Sequence, residues 1–407
     1  MSTKRRTSQG ITGLGLLVVV IYVLFQIFSS QSSNAPATAT PVPPTQVIVT
    51  ESPAVPSSSG SSSNGASTDN GQTPAWLKVY FTNPNPPDQI GTGIDQFVVP
   101  VINNAQKTID VTSFDLNLPS FVDALVAAAQ RGVQVRVVYD GTNGTQKLSA
   151  SDSPTGQALD AIQTLKGAGI QLVNGGRSNG LMHDKIIIVD DATLFMGSWN
   201  MSYNDTYRNN NNLLEITDPT LIANYQAKFN ELFVDKRFGT KAQVGAQTPQ
   251  MTIGGIQVFN YFSPVDHVMD KLVTLVNGAQ KSVRFMIFTF TDQDLANAMI
   301  SRYQAGVDVA GVIENRGASQ GALVPLACAK VPVKVDGNKY TMHHKVIVID
   351  DSIVVTGSFN FTKSADTAND DNVIIIYDPA VAKQYLDEYS RVDALAKAPN
   401  SADLKCP

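Results

Sequence analysis

Histidine is rare in this chain, and its placement is the strongest chemical signal in the sequence. Three of the four histidines lie in two copies of one short pattern that are 160 residues apart. In each copy a histidine is followed by a lysine two positions later, an aspartate five positions after that, and then a Gly-Ser-x-Asn segment. The repetition predicts one active site assembled from two half-sites. The chemically active residues of the two copies are His183, Lys185, Asp190, Ser198 and Asn200, and His343, Lys345, Asp350, Ser358 and Asn360.

The combination of side chains suits reaction at a phosphodiester. Lysine, hydroxyl and amide donors can neutralise the non-bridging oxygens as charge develops on them. One neutral histidine can attack phosphorus, and the other, protonated, can donate to the leaving oxygen, because the unperturbed pKa of histidine is about 6.5. Water then resolves the phosphohistidine, whereas an alcohol in its place gives transfer. We predict catalysis by His183, His343, Lys185 and Lys345, with phosphate binding or support from the serines, asparagines and aspartates of the pattern.

Each copy begins a predicted strand, which fixes the directions of its side chains. Alternation along a strand places His183 and Lys185 on one face and Asp184 on the other. The same argument separates His343 from His344, so we expect a structural or surface role for His344. The remaining histidine, His267, is also interpreted as structural.

Short apolar strands alternate with helical segments over most of the chain. Predicted strands at 108–113 and 133–139 flank a helix at 119–130 that has a proline near its start. This alternation is typical of βαβ units and predicts an α/β fold with a mostly parallel sheet.

Several landmarks beyond the histidine pattern recur in the same order. Residues 103–107 resemble 277–281, and Val138-Tyr-Asp140 matches the segment that ends at Glu314. Landmarks that share an order and an offset indicate an internal repeat. We predict two homologous halves, at 76–240 and 252–400, packed with pseudo-two-fold symmetry.

The first 75 residues have a different composition from the rest. Three basic residues precede an uncharged apolar run of 18 residues at 11–28, which is close to the length of about 20 that a spanning helix needs. We interpret 1–29 as a signal anchor and the Ser-, Thr-, Pro- and Gly-rich 30–75 as a disordered linker. This interpretation predicts a membrane-anchored, extracytoplasmic catalytic domain, or a secreted one if the segment is cleaved.

Charge and cysteine content set weaker limits on function. The net charge of −5 disfavours a dedicated nucleic-acid binder, since such proteins neutralise phosphates with an excess of Lys and Arg. The chain has two cysteines, Cys328 and Cys406, and spacing alone leaves open whether they pair. The sequence indicates no oligomeric state.

The duplicated pattern, His-x-Lys-x4-Asp followed by Gly-Ser-x-Asn, resembles the phospholipase D superfamily over about 75–400. The resemblance implies a two-step phosphohistidine mechanism that needs no metal or cofactor, with His183 as nucleophile and His343 as acid. It implies a chiefly structural role for Asp190 and Asp350. It also implies a downstream carboxylate that supports each histidine. Asp371 matches that position in the second half, whereas the first half has Asn211 there and Glu215 four residues on, which leaves the support of His183 open.

Four functions are compatible with this pattern. We favour a phosphodiesterase that acts on phospholipid head groups. The sequence of the second copy is similar to that of the small endonucleases of the superfamily, and this similarity makes metal-independent DNA cleavage an alternative. Head-group transfer, as in cardiolipin synthases, is another. A catalytically inactive scaffold is disfavoured because both copies are complete.

Overall fold

Two β-sheets, one from each half of the chain, form the frame of the molecule. The computed structural model describes residues 73–153, 155–402 and 404–406. The first half supplies β1 (Leu77–Phe81), β2 (Thr108–Ser113), β3 (Gln134–Tyr139), β4 (Lys147–Leu148), β5 (Leu159–Asp160), β6 (Gln171–Asn174), β7 (Ile186–Val189), β8 (Thr193–Gly197) and β9 (Asn212–Ile216). The second half supplies β10 (Gln250–Ile253), β11 (Ile256–Ser263), β12 (Ser282–Ile287), β13 (Asp308–Ile313), β14 (Val333–Val335), β15 (Lys345–Ile349), β16 (Ile353–Gly357) and β17 (Asp371–Tyr377). The strand orders are β1-β9-β8-β7-β2-β3-β6 and β10-β11-β17-β16-β15-β12-β13-β14, and β4 pairs with β5 separately.

Helices connect and cover these sheets. Several begin at an aspartate whose carboxylate accepts backbone N–H bonds in the first turn, among them Asp218, Asp292 and Asp378. Such residues fix where a helix starts. The helices are α1 (Asp95–Asn104), α2 (Pro119–Gln130), α3 (Ala161–Gly167), α4 (Tyr203–Tyr207), α5 (Pro219–Asn230), α6 (Val268–Asn277), α7 (Gln293–Gln304), α8 (Leu323–Cys328), α9 (Lys363–Thr367) and α10 (Pro379–Asp393).

Both sheets are mixed, so the prediction of a mostly parallel sheet is wrong. In the first sheet β2, β3 and β6 pair in parallel, whereas the pairings among β2, β7, β8, β9 and β1 are antiparallel. The second sheet repeats this division. Helix α2 crosses over between β2 and β3 and permits parallel pairing, but a short turn at Asp190 and Asp191 joins β7 to β8 and imposes the antiparallel direction. Both aspartates have positive φ, as do Asp350 and Asp351 in the equivalent turn.

The central strands are buried on both faces, which explains their continuous apolar sequences. Ile186 and Ile188 of β7 point into a core that also contains Val346 and Val348 of β15. Ile187, between them, points into a separate core of the first half. The shared core therefore joins the two halves, while each half keeps its own outer core under its helices.

The described part of the chain contains no helix that could cross a membrane. The longest described helix, α10, has 15 residues and spans about 22 Å at 1.5 Å per residue, against a hydrocarbon core of about 30 Å. This finding overturns the predicted membrane-anchored localisation. The apolar run at 11–28 and the linker up to residue 72 lie outside the described residues.

The two cysteines form a disulfide. Cys328 at the end of α8 is bonded to Cys406, with 78 residues of sequence separation. The bond attaches the C-terminal segment to the second half and answers the pairing question that spacing left open.

Candidate active site

The two copies of the pattern meet at the contact between the halves. The backbone N–H of His183 donates to the carbonyl of Asp370, and the N–H of His343 donates to the carbonyl of Asn210, each over 2.9 Å. Each motif therefore lies beside the segment that leads into the last strand of the other half, β17 or β9. This reciprocal pairing gives the site its pseudo-two-fold symmetry.

The His183 imidazole is held by a carboxylate of the second half. Its Nδ1 lies 2.7 Å from Oδ1 of Asp371, and the side chain of Phe114 packs against the ring edge-on at 5.2 Å between centroids. His183 is 1% exposed and Asp371 is fully buried. An Nδ1–H bond to an ionised Asp371 places the proton of the neutral imidazole on Nδ1 and leaves Nε2 unprotonated, which is the tautomer a nucleophile requires.

The His343 imidazole is held by an amide of the first half. Its Nδ1 lies 2.9 Å from Oδ1 of Asn211, and the ring of Phe288 packs against it at 4.8 Å between centroids. The Asn211 amide is oriented by its other contacts, because Ser198 donates to Oδ1 and Nδ2 donates to the carbonyl of Asp205. His343 therefore donates from Nδ1, and Nε2 carries the lone pair.

The support of the two histidines crosses between the halves, which corrects the expectation for Glu215. Glu215 lies in β9, where its carboxylate accepts bonds from Lys78 and Tyr80, and it holds neither histidine. Asp371 and Asn211 do so instead, each for the histidine of the opposite half. Sequence proximity suggested Glu215, whereas packing of the halves decides the partners.

The two serines of the pattern contact these supporting residues. Ser198 Oγ donates to Asn211 over 2.9 Å, and Ser358 Oγ donates to Asp371 over 2.6 Å. Asn200 donates from Nδ2 to Asp205 over 2.5 Å, and Asn360 is fully buried at the equivalent position. The serine hydroxyls therefore orient the groups that hold the imidazoles, and their predicted contact with the substrate phosphate stays a prediction.

The two lysines are buried beside the histidines. Lys185 and Lys345 are each 1% exposed, and each ammonium donates to the carbonyl of its own motif histidine, over 2.7 and 2.8 Å. Burial lowers the pKa of Lys185. Burial and the charge of Lys185 lower the pKa of Lys345 well below its ordinary value. Two such groups side by side stabilise an anion placed between them.

Burial also sets the protonation of the histidines. It lowers the pKa of His183 and of His343 well below the ordinary value, and the charges of Lys185 and Lys345 lower both further. Burial raises the pKa of Asp371 to about 7, against the opposing effect of Lys185. Both imidazoles are consequently neutral near pH 7 in the absence of an anion.

Asp190 and Asp350 lie at the far ends of the motif strands. The carboxylate of Asp190 accepts the backbone N–H groups of residues 106, 107 and 108 over 2.7–2.9 Å. Asp350 accepts those of residues 280, 281 and 282 over 2.6–3.0 Å. Each aspartate follows its lysine by five positions along an extended strand, a distance of about 16 Å. Both carboxylates therefore fasten the turn before β2 or β12 and lie away from the imidazoles.

The residues expected to point away from the site form a layer behind it. Asp184 accepts a bond from Asn372 over 2.6 Å. Nδ1 of His344 lies 3.3 Å from Oδ1 of Asn212, and its Nε2 lies 2.7 Å from Oε1 of Glu388. His267 precedes α6 in a left-handed conformation.

Two acidic residues that hold the motif strands were not predicted as site residues. Asp140 Oδ2 accepts the N–H of Met182 over 3.1 Å, and Glu314 Oε2 accepts the N–H of Met342 over 2.7 Å. Both are buried. A signal that could have identified them is their equivalent position in the internal repeat. Each follows a strand and precedes the motif histidine by a few dozen residues.

Metal-ligating groups do not cluster in the described part of the chain. No three His, Cys, Asp or Glu side chains there are arranged to hold a metal ion. The cationic groups near the two imidazoles are the lysines.

The sequence of both halves matches one family. The family described as "Cardiolipin synthase, PLD-like domain" matches residues 98–233 and 272–392, which together make up more than half of the chain. The chain is a member of the phospholipase D superfamily. The two matched ranges also confirm the prediction of two phospholipase D-like halves.

Relatives in the superfamily align with part of this chain. The mitochondrial cardiolipin hydrolase of Xenopus tropicalis is 35% identical over 129 residues, which are 31% of this chain and 61% of the relative. The phospholipase D of Rickettsia prowazekii is 34% identical over 130 residues, 31% of this chain and 63% of the relative. The chain thus spans about three fifths of the length of these relatives.

A solved structure with a similar fold covers most of this chain. The phosphatidylserine synthase of Haemophilus influenzae matches with a TM-score of 0.61 and 14% identity, over 81% of this phospholipase D-like chain and 89% of its own. At this identity the match shows the fold alone.

Proposed function

We propose that this chain is a phospholipase D-type phosphodiesterase that hydrolyses phospholipid head-group esters through a phosphohistidine. The observation that carries the proposal is that each imidazole is hydrogen-bonded through Nδ1 to a residue of the opposite half, His183 to Asp371 and His343 to Asn211. Both histidines are close enough to the two buried lysines for the lysine charges to act on each imidazole. This arrangement supplies a nucleophile, an acid and two cations at one place.

The first step is attack on phosphorus. Nε2 of His183 forms the bond to phosphorus, and its Nδ1–H remains hydrogen-bonded to Asp371, whose charge stabilises the imidazolium that develops. Lys185 and Lys345 neutralise the non-bridging oxygens. Protonated His343 donates its proton to the leaving oxygen as the bond between that oxygen and phosphorus breaks.

The second step releases the phosphoryl group. His343, now neutral, takes a proton from water as the water oxygen attacks phosphorus and the bond to His183 breaks. The binding of an anionic phosphodiester between the lysines favours protonation of His343 before the first step, since a nearby negative charge raises the pKa of an imidazole.

Phospholipid is the favoured substrate for two reasons. Relatives of this chain are named phospholipase D and mitochondrial cardiolipin hydrolase. The net charge of −5 opposes attraction of a long polyanion such as DNA.

The test compares substrates with one preparation of the full chain. Cardiolipin vesicles, phosphatidylcholine vesicles and plasmid DNA are incubated with the protein in EDTA, with and without ethanol, and His183→Asn serves as the inactive control. We expect phosphatidic acid or its equivalent from lipid, retention of activity in EDTA, and no turnover by the variant. DNA cleavage without lipid turnover would make the chain a nuclease, and exclusive formation of the ethyl ester would make it a transferase.

A further inference from the structure

The two supporting residues differ in charge although they occupy equivalent places. Ser198 donates to Asn211 in one half, and Ser358 donates to Asp371 in the other. The repeat therefore equates the two positions, and the hydrogen bonds confirm it. His183 has a buried carboxylate at Nδ1, whereas His343 has a neutral amide there.

A second difference between the halves lies next to the first. Asp205 on α4 is 3% exposed, and its counterpart on α9 is Ala365. Oδ2 of Asp205 lies 3.8 Å from Nδ1 of His343. The first half thus has an amide at Asn211 and a carboxylate at Asp205. At the equivalent positions the second half has a carboxylate, Asp371, and an alanine, Ala365.

The position of Asp205 is fixed by bonds on both carboxylate oxygens. Oδ2 accepts from the side chain and backbone of Asn200 over 2.5 and 3.2 Å, and Oδ1 accepts from Asn209 over 2.6 Å. Its own N–H is bonded to Ser202 at the start of α4. A carboxylate held this firmly keeps its distance from His343 while the ring gains and loses a proton.

We propose that Asp205 is the relocated counter-ion of His343 and acts as a positioning residue for the reaction proposed above, on which this inference rests. Its charge stabilises the imidazolium that donates to the leaving oxygen, a role that Asp371 fills for His183. The two histidines are therefore supported unequally. The Asp371 carboxylate is hydrogen-bonded to Nδ1 of His183 over 2.7 Å. Nδ1 of His343 is hydrogen-bonded to the amide of Asn211, and the Asp205 carboxylate lies farther away, at 3.8 Å.

The strongest electrostatic effects on His343 oppose its protonation, although two further buried carboxylates, Asp115 and Asp371, interact with the neighbouring Lys185 and Lys345. Lys345, Lys185, His183 and His344 all disfavour its protonated form. Among the carboxylates in the described part of the chain, Asp205 is the one that approaches the ring within 4 Å. A buried imidazolium beside two lysines needs a nearby anion, and this carboxylate supplies it.

Three variants of the full chain test this assignment. Asp205→Asn removes the charge, Asn211→Asp places one at the position that Asp371 occupies in the other half, and the double variant exchanges the two. Asp366→Asn is the matched control, because Asp366 lies on the equivalent helix α9 and caps the backbone of Met269. Circular dichroism verifies folding of each protein.

Two readouts are measured against pH: kcat for a phosphodiester substrate, and the NMR titration of the His343 ring. We expect Asp205→Asn to move the alkaline limb of kcat and the ring titration down by about one pH unit, as loss of a carboxylate at this distance implies. Asn211→Asp should move both upward, and the double variant should return toward the parent. The control should match the parent.

The outcomes separate this inference from the proposed function. Absence of turnover by the parent would refute the proposed function, and the NMR titration would still measure the ion pair. The counter-ion role would be refuted if the parent is active and Asp205→Asn leaves both the alkaline limb of kcat and the titration of the His343 ring unchanged. If Asp205→Asn does not fold, Asn211→Asp decides alone, because an unchanged titration there would show that charge at this edge of His343 has no effect.

Discussion

Replacement of Asp371 by asparagine tests the support of the proposed nucleophile. The carboxylate is fully buried and lies 2.7 Å from Nδ1 of His183. An amide of nearly the same shape keeps the packing and removes the charge. It can also present its NH2 group to Nδ1, which would move the imidazole proton to Nε2 and block attack on phosphorus.

The size of the effect follows from these two losses. A hydrogen bond to a charged group contributes about 1.5–3 kcal/mol, which corresponds to roughly 10- to 150-fold in rate. The wrong tautomer adds to this, and the equivalent change in serine-protease triads lowers kcat by about 10⁴. We therefore expect kcat to fall by about 10²- to 10⁴-fold.

The assay measures kcat and KM for cardiolipin hydrolysis by the parent, Asp371→Asn and a control, Glu215→Gln. Glu215 is the carboxylate that sequence proximity suggests, but it contacts Lys78 and Tyr80 instead. We expect the control to remain within about twofold of the parent, since it loses an ion pair whose lysine is mostly exposed. A large loss in Glu215→Gln together with a small one in Asp371→Asn would refute the crossed support.

Three further predictions concern the same site. His343→Asn should accumulate a covalent adduct on His183 when the substrate has a p-nitrophenol leaving group, which needs no acid; mass spectrometry that finds no adduct would contradict the two-step route. The ratio kcat/KM of the parent should fall as the pH decreases below about 7, because Asp371, whose pKa is raised to about 7, takes up a proton and no longer accepts from His183; a profile flat to pH 5 would oppose this. Asp190→Ala should lower the free energy of unfolding by about 2 kcal/mol, through the loss of three backbone bonds, and leave kcat of the folded protein unchanged, whereas a lowered kcat in folded protein would place Asp190 in the chemistry.

The local geometry of the site could be predicted from the sequence because it depends on strand alternation alone. His183 and Lys185 were expected on one face and Asp184 on the other, and the structure bonds Asp184 to Asn372 behind the site. The period of two along a strand holds whatever the strand packs against.

The partners of the histidines could not be predicted because they depend on how the halves pack. Asp371 lies 188 residues from His183, and no feature of the chain between them reveals that the support crosses. A search close to the motif in the same half leads to Glu215, which proves to belong to the β1–β9 pairing.

The sequence contains an indication of the antiparallel pairings, but the alternation of strands and helices favours a parallel sheet instead. The pairs Asp190-Asp191 and Asp350-Asp351 each follow a motif strand and adopt positive φ, a conformation that aspartate tolerates better than most residues. Paired aspartates between apolar runs indicate a hairpin, and a hairpin requires antiparallel neighbours.

The exchange of supporting residues between the halves has an evolutionary consequence. An assembly of two identical chains could build a reciprocal site of this kind, but every substitution would appear on both sides of the axis. Once both copies are joined in one polypeptide, a mutation can alter one imidazole's surroundings and spare the other's. Asn211 opposite Asp371 is a difference that duplication and fusion make possible, and it lets selection assign donor and nucleophile to separate copies.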